Sequence, residues 1–434
     1  MPETPSATPL PHDPSFSVSS ANLVVGPGST REVGDHAREL GLKRVLLFTD
    51  PRLRSGEPVA LALESLAAAG LEAEVCVIGS VEPKDASFLA AAEVARAGAY
   101  DGFIAVGGGS TMDTAKAANL YSTWPAPLLR YVNAPVGEGA PPPGPLKPLI
   151  CLPTTAGTGS ETTGVAIFDL PDLHAKTGIA HRRLRPVLGI IDPLSTRTMP
   201  AMVTASSGFD VLCHALESYT AIRSTSRPMP ERPSLRPAYQ GANPFSDLWA
   251  ETAIAMVARS IVRATTDPDD LEARTEMALA ATYAGIGFGN AGVHLPHGMS
   301  YAVSGLVRSF RPAGYPDDHA IVPHGMSVIL NAPAVFRWTA EADPVRHLRA
   351  AALMGAETRG ATPADAGAIL ADAIIDLMRR TGMPNGLAGV GYTAADAPAL
   401  AEGTLPQHRV TKLAPRPAER GDLEALFRDA LTYW

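Results

Sequence analysis

In the first half of the chain, short apolar runs alternate with stretches of helical spacing. The runs that indicate strands lie at residues 16–25, 44–50, 73–78, 103–106, 149–152, 164–168, 175–180 and 187–191. Helical spacing occupies residues 30–40, 59–69, 87–97 and 111–116. Strands that alternate with helices of this length predict a mostly parallel sheet with helices packed on it.

From residue 200 onward the pattern is mostly helical. Helices are predicted over residues 202–221, 247–265, 271–285, 328–338, 344–354 and 363–380. The polar, proline-rich stretch 223–244 is longer than a usual structureless loop, so it is either a functional flap or disordered. We therefore predict three parts: a loose N-terminal tail (1–20), an α/β domain (21–195) and an all-α domain (196–434).

Composition and charge narrow the class of protein. A chain of 434 residues with 46% hydrophobic and 18% charged residues is typical of a globular protein of two or three domains. The net charge of −8 disfavours nucleic acid and anionic membranes as partners, since both attract basic patches. No apolar run reaches membrane-spanning length.

The cellular location is predicted from cysteines and the N-terminus. The three cysteines lie far apart and form neither a disulfide framework nor a zinc-ribbon spacing, which fits a reducing compartment. Residues 1–20 contain no Arg or Lys and lack both the apolar core of a secretory signal and the pattern of a mitochondrial transit peptide. A cytoplasmic protein is the expectation.

A glycine turn is the first candidate for chemistry. A buried strand runs directly into Gly107, Gly108, Gly109 and Ser110. Glycines let the backbone approach a bulky anion, and the N-terminus of the helix that follows favours a pyrophosphate. Ser110 is predicted to cap this helix, with Asp113 at capping-box spacing. The spacing is not the G-x-G-x-x-G fingerprint, so a plain tight turn is an equally good interpretation of the turn alone.

Two further segments favour a dinucleotide. Asp50 ends a strand, where a carboxylate usually holds ribose hydroxyls, although it could simply open a turn. Residues 153–161, Pro-Thr-Thr-Ala-Gly-Thr-Gly-Ser-Glu, follow another buried strand, and their hydroxyls suit phosphate, ribose or a nicotinamide amide. The alternative for this segment is a solvated Thr-rich loop.

A carboxylate and an imidazole at helical spacing suggest a metal site. Asp210 and His214 stand four residues apart on a predicted helix, so both project from one face. An ordinary hydrogen bond within the helix is the alternative. Cys213 points about 100° away around the helix and is excluded as a ligand.

Two histidines in a repeated setting are the predicted partners of that pair. His297 and His324 each occur in the pentapeptide Pro-His-Gly-Met-Ser and precede a helix-like segment. His319 is typical of an exposed loop, and His294 could either line a pocket or pack. One carboxylate and three imidazoles suit Fe(II), Zn(II), Co(II) or Mn(II).

With these features in this order, the chain resembles the iron-containing (group III) alcohol dehydrogenases. The matching stretches are residues 107–116, 153–161, 210–214, 290–299 and 323–325. Within the family the chain is most similar to the hydroxyacid-oxoacid transhydrogenases, through residues 236–244, 289–301 and 404–415.

The resemblance implies a site between an NAD-binding α/β domain and a helical, metal-binding catalytic domain. It places the metal ligands, for Fe(2+) with Zn(2+) as the alternative, at Asp210, His214, His297 and His324. The cofactor-binding residues for NAD(H), with Asp113 of the glycine-turn helix included, are Asp50, Gly107, Gly108, Gly109, Ser110, Asp113, Thr154, Thr155, Thr158 and Lys176. Tyr301 stands where many members have a second histidine, so a proton relay through that histidine is not implied.

The activity implied is hydride transfer from 4-hydroxybutyrate to 2-oxoglutarate through bound NAD(H), yielding succinate semialdehyde and 2-hydroxyglutarate. A conventional NAD(P)-dependent alcohol or 4-hydroxybutyrate dehydrogenase and, more distantly, a dehydroquinate-synthase-like lyase are the alternatives. The partners expected are small hydroxyacid, oxoacid, alcohol or aldehyde substrates, and a homodimer is left open. The sequence does not rank the cations for a substrate carboxylate: Arg182, Arg183, Arg308, Arg311 and Arg409.

Overall fold

The computed structural model describes residues 12–79, 83–170 and 175–434. The strands are β1 (Asn22–Val25), β2 (Arg44–Thr49), β3 (Glu72–Val77), β4 (Gly102–Gly107), β5 (Leu149–Pro153), β6 (Val165–Leu170), β7 (Ala175–Ala180) and β8 (Leu188–Ile191). Six of them form one parallel sheet in the order β1-β8-β5-β4-β2-β3, and β6 pairs with β7 as a separate antiparallel hairpin.

Helices pack around this sheet and form most of the described chain after residue 200. The first four are α1 (Val33–Glu39), α2 (Glu57–Ala68), α3 (Asp85–Ala97) and α4 (Gly109–Thr123). The others are α5 (Ala201–Thr220), α6 (Pro244–Thr266), α7 (Leu271–Ala291), α8 (Leu295–Gly305), α9 (His324–Ile329), α10 (Ala332–Thr339), α11 (Pro344–Leu353), α12 (Ala366–Arg380), α13 (Ala397–Thr404), α14 (His408–Thr411) and α15 (Arg420–Asp429). The predicted fold class is confirmed.

The sheet is covered on both faces, which explains why its strands are apolar without alternation. In β4, Ile104 and Val106 join a core with α1 and α2, while Phe103 and Ala105 join a core with α3 and α4. Successive side chains of a strand point to opposite faces, so both sets are buried. The predicted strand at residues 16–25 is shorter in the structure and begins at Asn22.

The helical part is built around α5, which is buried on nearly all sides. Sixteen of its twenty residues are buried, and α6, α7 and α9 pack against it. A helix surrounded in this way can hold polar side chains away from water only where they find partners or a ligand. Among the described residues, no helix is long and apolar enough to cross a membrane.

The described part of the N-terminal segment, for which a loose tail is predicted, makes specific contacts. The Asp13 carboxylate accepts hydrogen bonds from Arg227 Nη2 and Arg236 Nε, both at 2.7 Å. The Ser17 amide donates to Gln240 Oε1 at 2.9 Å. From His12 onward, the segment therefore lies against the loop between α5 and α6. Residues 1–11 lie outside the described part, and the division into domains stays a prediction.

Candidate active site

One cavity of about 530 Å³ lies between the carboxyl ends of the sheet strands and the helices α5, α8 and α9. Thirteen of the fourteen predicted site residues line it: Asp50, Gly108, Gly109, Ser110, Asp113, Thr154, Thr155, Thr158, Lys176, Asp210, His214, His297 and His324. Its size is that of a typical small-molecule site. Tertiary structure thus brings the nucleotide-type and metal-type residues to one space, and their roles stay predictions.

The glycine turn lies closer to the Thr-rich loop than a side chain would allow. A Cβ on Gly109 would stand 2.6 Å from Thr158 Cγ2, and one on Gly107 would stand 2.4 Å from Thr111 Oγ1. Gly107, which is absent from the cavity wall, is therefore required for packing beneath the turn. Gly108 precedes α4, and the first turn of this helix, with Gly109, Ser110 and Thr111, lines the cavity.

The predicted cap of α4 is wrong. The helix begins at Gly109, its N-cap is Gly108, and no side chain caps it. Ser110 already lies inside the helix. The Asp113 carboxylate instead accepts hydrogen bonds from Ser160 Oγ at 2.6 Å and from the Ile167 amide at 2.9 Å.

A buried ion pair fixes α4 to the Thr-rich loop. Lys116 Nζ lies 3.5 Å from Asp113 Oδ1 and donates to Ser160 Oγ and to the Val165 carbonyl. Burial raises the pKa of Asp113 and lowers that of Lys116. Because both side chains of this pair belong to α4 and both hydrogen-bond Ser160 Oγ, they hold α4 and the Thr-rich loop in one arrangement.

Asp50 and Lys176 stand at the cavity wall with protein partners. Asp50 Oδ1 accepts hydrogen bonds from the amides of Arg52 and Leu53 at 2.8 and 3.0 Å, so this carboxylate does open a turn while also lining the cavity. Lys176 Nζ lies 3.5 Å from Asp169 Oδ1. Contacts of either side chain with a ribose or nicotinamide stay predictions.

Three imidazoles converge on one carboxylate oxygen at the other end of the cavity. The Nε2 atoms of His297, His324 and His214 lie 3.4, 3.7 and 3.9 Å from Asp210 Oδ1. Four ligands about 2.1 Å from one ion in a tetrahedron stand about 3.4 Å from each other. The distances from Asp210 Oδ1 to His297 and His324 are close to this spacing, as expected of ligands to one metal ion.

Burial and missing hydrogen bonds support the same conclusion. Asp210 Oδ1 and His297 Nε2 are buried and have no hydrogen-bond partner among the described residues. Unsatisfied buried polar atoms are costly, and an ion between them would satisfy both. The ligand atoms of Asp210, His297 and His324 all lie within 4.8 Å of one another, and His214 does not belong to this group. His214 stacks on Phe288, with ring centres 3.9 Å apart.

The pKa shifts of Asp210 and His214 favour the forms that bind a metal cation. Burial alone would raise the pKa of Asp210, but His214, His324 and His297 hold it well below its ordinary value. Burial lowers the pKa of His214 to about 3, which keeps this imidazole in the neutral form that binds metals. Burial also acts to lower the pKa of His297, yet the carboxylates of Glu217 and Asp210 raise it to about 9.

Glu217 is a site residue that the sequence does not reveal. It is fully buried on α5, and its Oε1 lies 2.6 Å from His297 Nδ1. Its Oε2 accepts hydrogen bonds from the amides of His294 and His297. A carboxylate on the far ring nitrogen fixes the tautomer and orientation of a ligating histidine. The only local signal is that Glu217 follows His214 by three residues on the same helix.

The remaining histidines and Tyr301 have separate roles. His294 does not line the cavity but is buried, with its Nε2 3.0 Å from Thr220 Oγ1. His319 is exposed beside Asp318, as the sequence indicates. Tyr301 does line the cavity, and its ring stacks beside His324 with centres 6.3 Å apart. Burial raises the pKa of Tyr301, so its hydroxyl keeps its proton.

The family is shown by sequence comparison. Residues 20–193 match the family model of the iron-containing alcohol dehydrogenases, and residues 238–431 match the C-terminal model of the same family. The chain belongs to this family and is an oxidoreductase that acts on CH–OH groups. The metal and NAD(H) that the family uses agree with the two ends of the cavity.

Individual relatives match nearly the whole chain at about half identical residues. The mitochondrial hydroxyacid-oxoacid transhydrogenases of Mus musculus and Homo sapiens are each 54% identical over 421 residues, which cover 96% of this chain and 90% of each relative. A probable mitochondrial hydroxyacid-oxoacid transhydrogenase of Dictyostelium discoideum is 48% identical, over 97% of this chain and 80% of the relative.

Solved structures share the fold. A 1,3-propanediol oxidoreductase superposes with a TM-score of 0.84 at 30% identity, over 96% of this chain and all of that chain. A sulfoacetaldehyde reductase of Bifidobacterium kashiwanohense, solved in complex with NAD+, superposes with a TM-score of 0.79 at 25% identity, over 96% of this chain and 99% of that one.

The predicted cytoplasmic location is contradicted by these relatives, which are mitochondrial proteins. That prediction rested on the lack of a targeting pattern in residues 1–20 and on the three separated cysteines. Neither observation distinguishes the cytoplasm from another reducing compartment, so composition carried no decisive signal.

Proposed function

We propose that the protein is a hydroxyacid-oxoacid transhydrogenase that moves a hydride from 4-hydroxybutyrate to 2-oxoglutarate. The observation that carries the proposal is the single cavity that runs from the glycine turn to Asp210 and its three histidines. The similarity to the mouse and human transhydrogenases, 54% over nearly the whole chain, supports the choice of reaction.

The resident metal in this proposal is Fe(2+), with Zn(2+) as the alternative that the same ligand types allow. Asp210, His214, His297 and His324 would hold it. When bound, the metal acts as a Lewis acid on the substrate oxygen and NAD(H) carries the hydride.

The task of the protein's own residues is to position and enclose the reactants. The first turn of α4 and the Thr-rich loop would hold the nucleotide, and Phe288 and Tyr301 wall the metal end with aromatic surface. Orientation of two reacting carbons and exclusion of water supply a large part of such a rate enhancement. Over the full cycle, the hydride and proton lost by 4-hydroxybutyrate are gained by 2-oxoglutarate, so no external oxidant is needed.

An assay without added NAD tests the proposal. The purified protein is given 4-hydroxybutyrate with and without 2-oxoglutarate, and succinate semialdehyde and 2-hydroxyglutarate are measured. We expect both products in equal amounts over many turnovers only when both substrates are present.

The competing function is that of a conventional dehydrogenase that releases its cofactor. It predicts sustained oxidation of 4-hydroxybutyrate with free NAD and no oxoacid. That result, together with no exchange in the absence of added NAD, would refute the transhydrogenase proposal. The lyase alternative is tested separately with a phosphorylated hydroxyacid, from which it would form an elimination product and release phosphate.

A further inference from the structure

Arg409 is a half-buried cation in the cavity wall, and it has no acidic partner among the described residues. It lies on the short helix α14 and lines the main cavity together with Tyr239 and Tyr301. Its Nη1 is buried and has no hydrogen-bond partner among the described residues. A guanidinium in this position is costly unless an anion joins it, so it indicates a ligand carboxylate or phosphate.

Its neighbours place Arg409 next to the metal end of the cavity rather than the nucleotide end. Its guanidinium carbon lies 4.9 Å from the ring centre of Tyr239. Tyr239 contacts Phe288, whose ring stacks on His214. Arg409 also interacts with the Tyr301 hydroxyl, and the ring of Tyr301 stacks beside His324. An anion held by Arg409 would therefore lie towards the metal end of the cavity.

The other arginine candidates do not line the cavity. Arg308 is exposed and paired with Asp396 at 2.9 Å, and Arg311 is exposed and donates to the Asp317 carbonyl. Arg182 is also exposed, and Arg183 donates to the Pro142 carbonyl.

Two further cations line the cavity, and both have partners. Lys176 has Asp169 at 3.5 Å, and Arg52 donates to the Gly314 carbonyl near the Asp50 end. Arg409 is therefore the cation best placed for a substrate carboxylate.

The two proposed substrates share one feature that a single cation can recognise. In 4-hydroxybutyrate a carboxylate lies three carbon–carbon bonds from the carbon that bears the hydroxyl. In 2-oxoglutarate the distal carboxylate lies three carbon–carbon bonds from the ketone carbon. If the reacting carbon occupies the same point in both half-reactions, these two carboxylates fall at the same place.

We propose that Arg409 binds this shared distal carboxylate and so sets the specificity of both half-reactions. The inference rests on the proposed transhydrogenase function. A planar guanidinium can hold a carboxylate through two parallel hydrogen bonds, which fixes orientation as well as charge. One residue would thereby make donor and acceptor bind alternately at one site.

The test is substitution of Arg409 with substrates that have or lack the distal carboxylate. In Arg409→Leu, kcat/KM for 4-hydroxybutyrate and for 2-oxoglutarate should both fall by about 10- to 100-fold, the range of a hydrogen bond to a charged group. The matched compounds 1-butanol and 2-oxopentanoate carry a methyl in place of that carboxylate, and their kcat/KM should change by less than about 3-fold. Arg311→Leu, an exposed arginine outside the cavity, is the control and should leave all four values unchanged.

Two further measurements keep the test decisive. Arg409→Lys retains the charge and should lie between wild type and Arg409→Leu, even if the leucine variant folds poorly. The rise in Tm that 4-hydroxybutyrate produces in the wild type should be lost in Arg409→Leu, which reports binding without turnover.

The two possible failures can be told apart. A wild-type protein that exchanges no hydride between the two acids refutes the proposed function. A wild type that does exchange it, with an Arg409→Leu variant that still prefers the carboxylated substrates as strongly, refutes only the role of Arg409.

Discussion

Among single residues, Glu217 has the clearest expected effect on metal affinity, through its charge. It lies behind His297, on the side away from Asp210, so it does not touch the space between the four candidate ligands. A carboxylate in this position strengthens the ligand by accepting from its far nitrogen. The metal affinity therefore depends on a residue outside the ligand set.

Glu217→Gln should weaken metal binding by about 10- to 100-fold, because the amide carries no charge and its one oxygen replaces only one of the two carboxylate oxygens that accept hydrogen bonds. Elemental analysis of anaerobically purified protein, followed by competition with a chelator, measures the metal's identity and its Kd. Glu251→Gln is the matched control, since that glutamate lies on α6 and pairs with Arg349 at the surface. An unchanged Kd with a lowered Tm would show that Glu217 serves packing alone.

At the scale of elements, the approach of α9 to α5 brings His324 to Asp210. The two Pro-His-Gly-Met-Ser segments have glycines in very different surroundings. A Cβ on Gly325 would lie 2.0 Å from the Ser206 carbonyl oxygen of α5, whereas one on Gly298 would meet the Thr411 side chain at 2.7 Å. Backbone cannot move aside as a methyl group can, so only the first contact is critical for helix packing.

Gly325→Ala should therefore destabilise the fold by about 2 kcal/mol or more and reduce bound metal, since α9 must move away with His324. Gly298→Ala, the same change in the repeated pentapeptide, should cost less than about 1 kcal/mol and retain metal, because Thr411 can rotate. Denaturant unfolding and metal content measure both effects. Equal losses in the two variants would contradict this account of the packing.

At the scale of the whole molecule, Asp13 connects the N-terminal segment to the loop between α5 and α6, more than two hundred residues away. The hydrogen bond from Arg236, helped by the Ser15 amide and the charge of Arg227, lowers the pKa of Asp13 from 3.8 to about 2 despite its burial. A lowered pKa means that the contact contributes fully above pH 3.8 and is lost as the pH falls through about 2.

Asp13→Asn should speed chymotryptic cleavage within residues 223–243 by about tenfold, because loss of a charged hydrogen-bond partner lets the loop open more often. Chymotrypsin can cut this loop after Leu235 and Tyr239, neither of which is followed by proline. The effect should be constant across neutral pH, where Asp13 stays ionised. Asp317→Asn, an exposed acid in another loop, is the control, and equal cleavage of both variants would refute the contact's role.

Most of the fold could be predicted because strand and helix periodicities are local properties. The buried strands of the sheet, the glycine turn and the helix that carries Asp210 and His214 all have patterns within a few residues. The short helices α13, α14 and α15 were not predicted, since few turns of helix give little periodic signal. The start of α4 was misplaced by two residues because Gly108 caps it without a side chain.

The amino-acid sequence alone predicts the order of an α/β part and a helical part, which the structure confirms, and it names residues for a nucleotide and a metal that the structure brings to one cavity. His297 and His324 could be selected because their repeated context is itself written in the chain. Three features became visible only in the folded structure. Glu217 hydrogen-bonds His297, and Asp13 hydrogen-bonds Arg227. Arg409 lines the cavity, whereas the other four candidate arginines for a substrate carboxylate do not. Acids and arginines are common and have no local signature, so their roles arise from packing between distant parts of the chain.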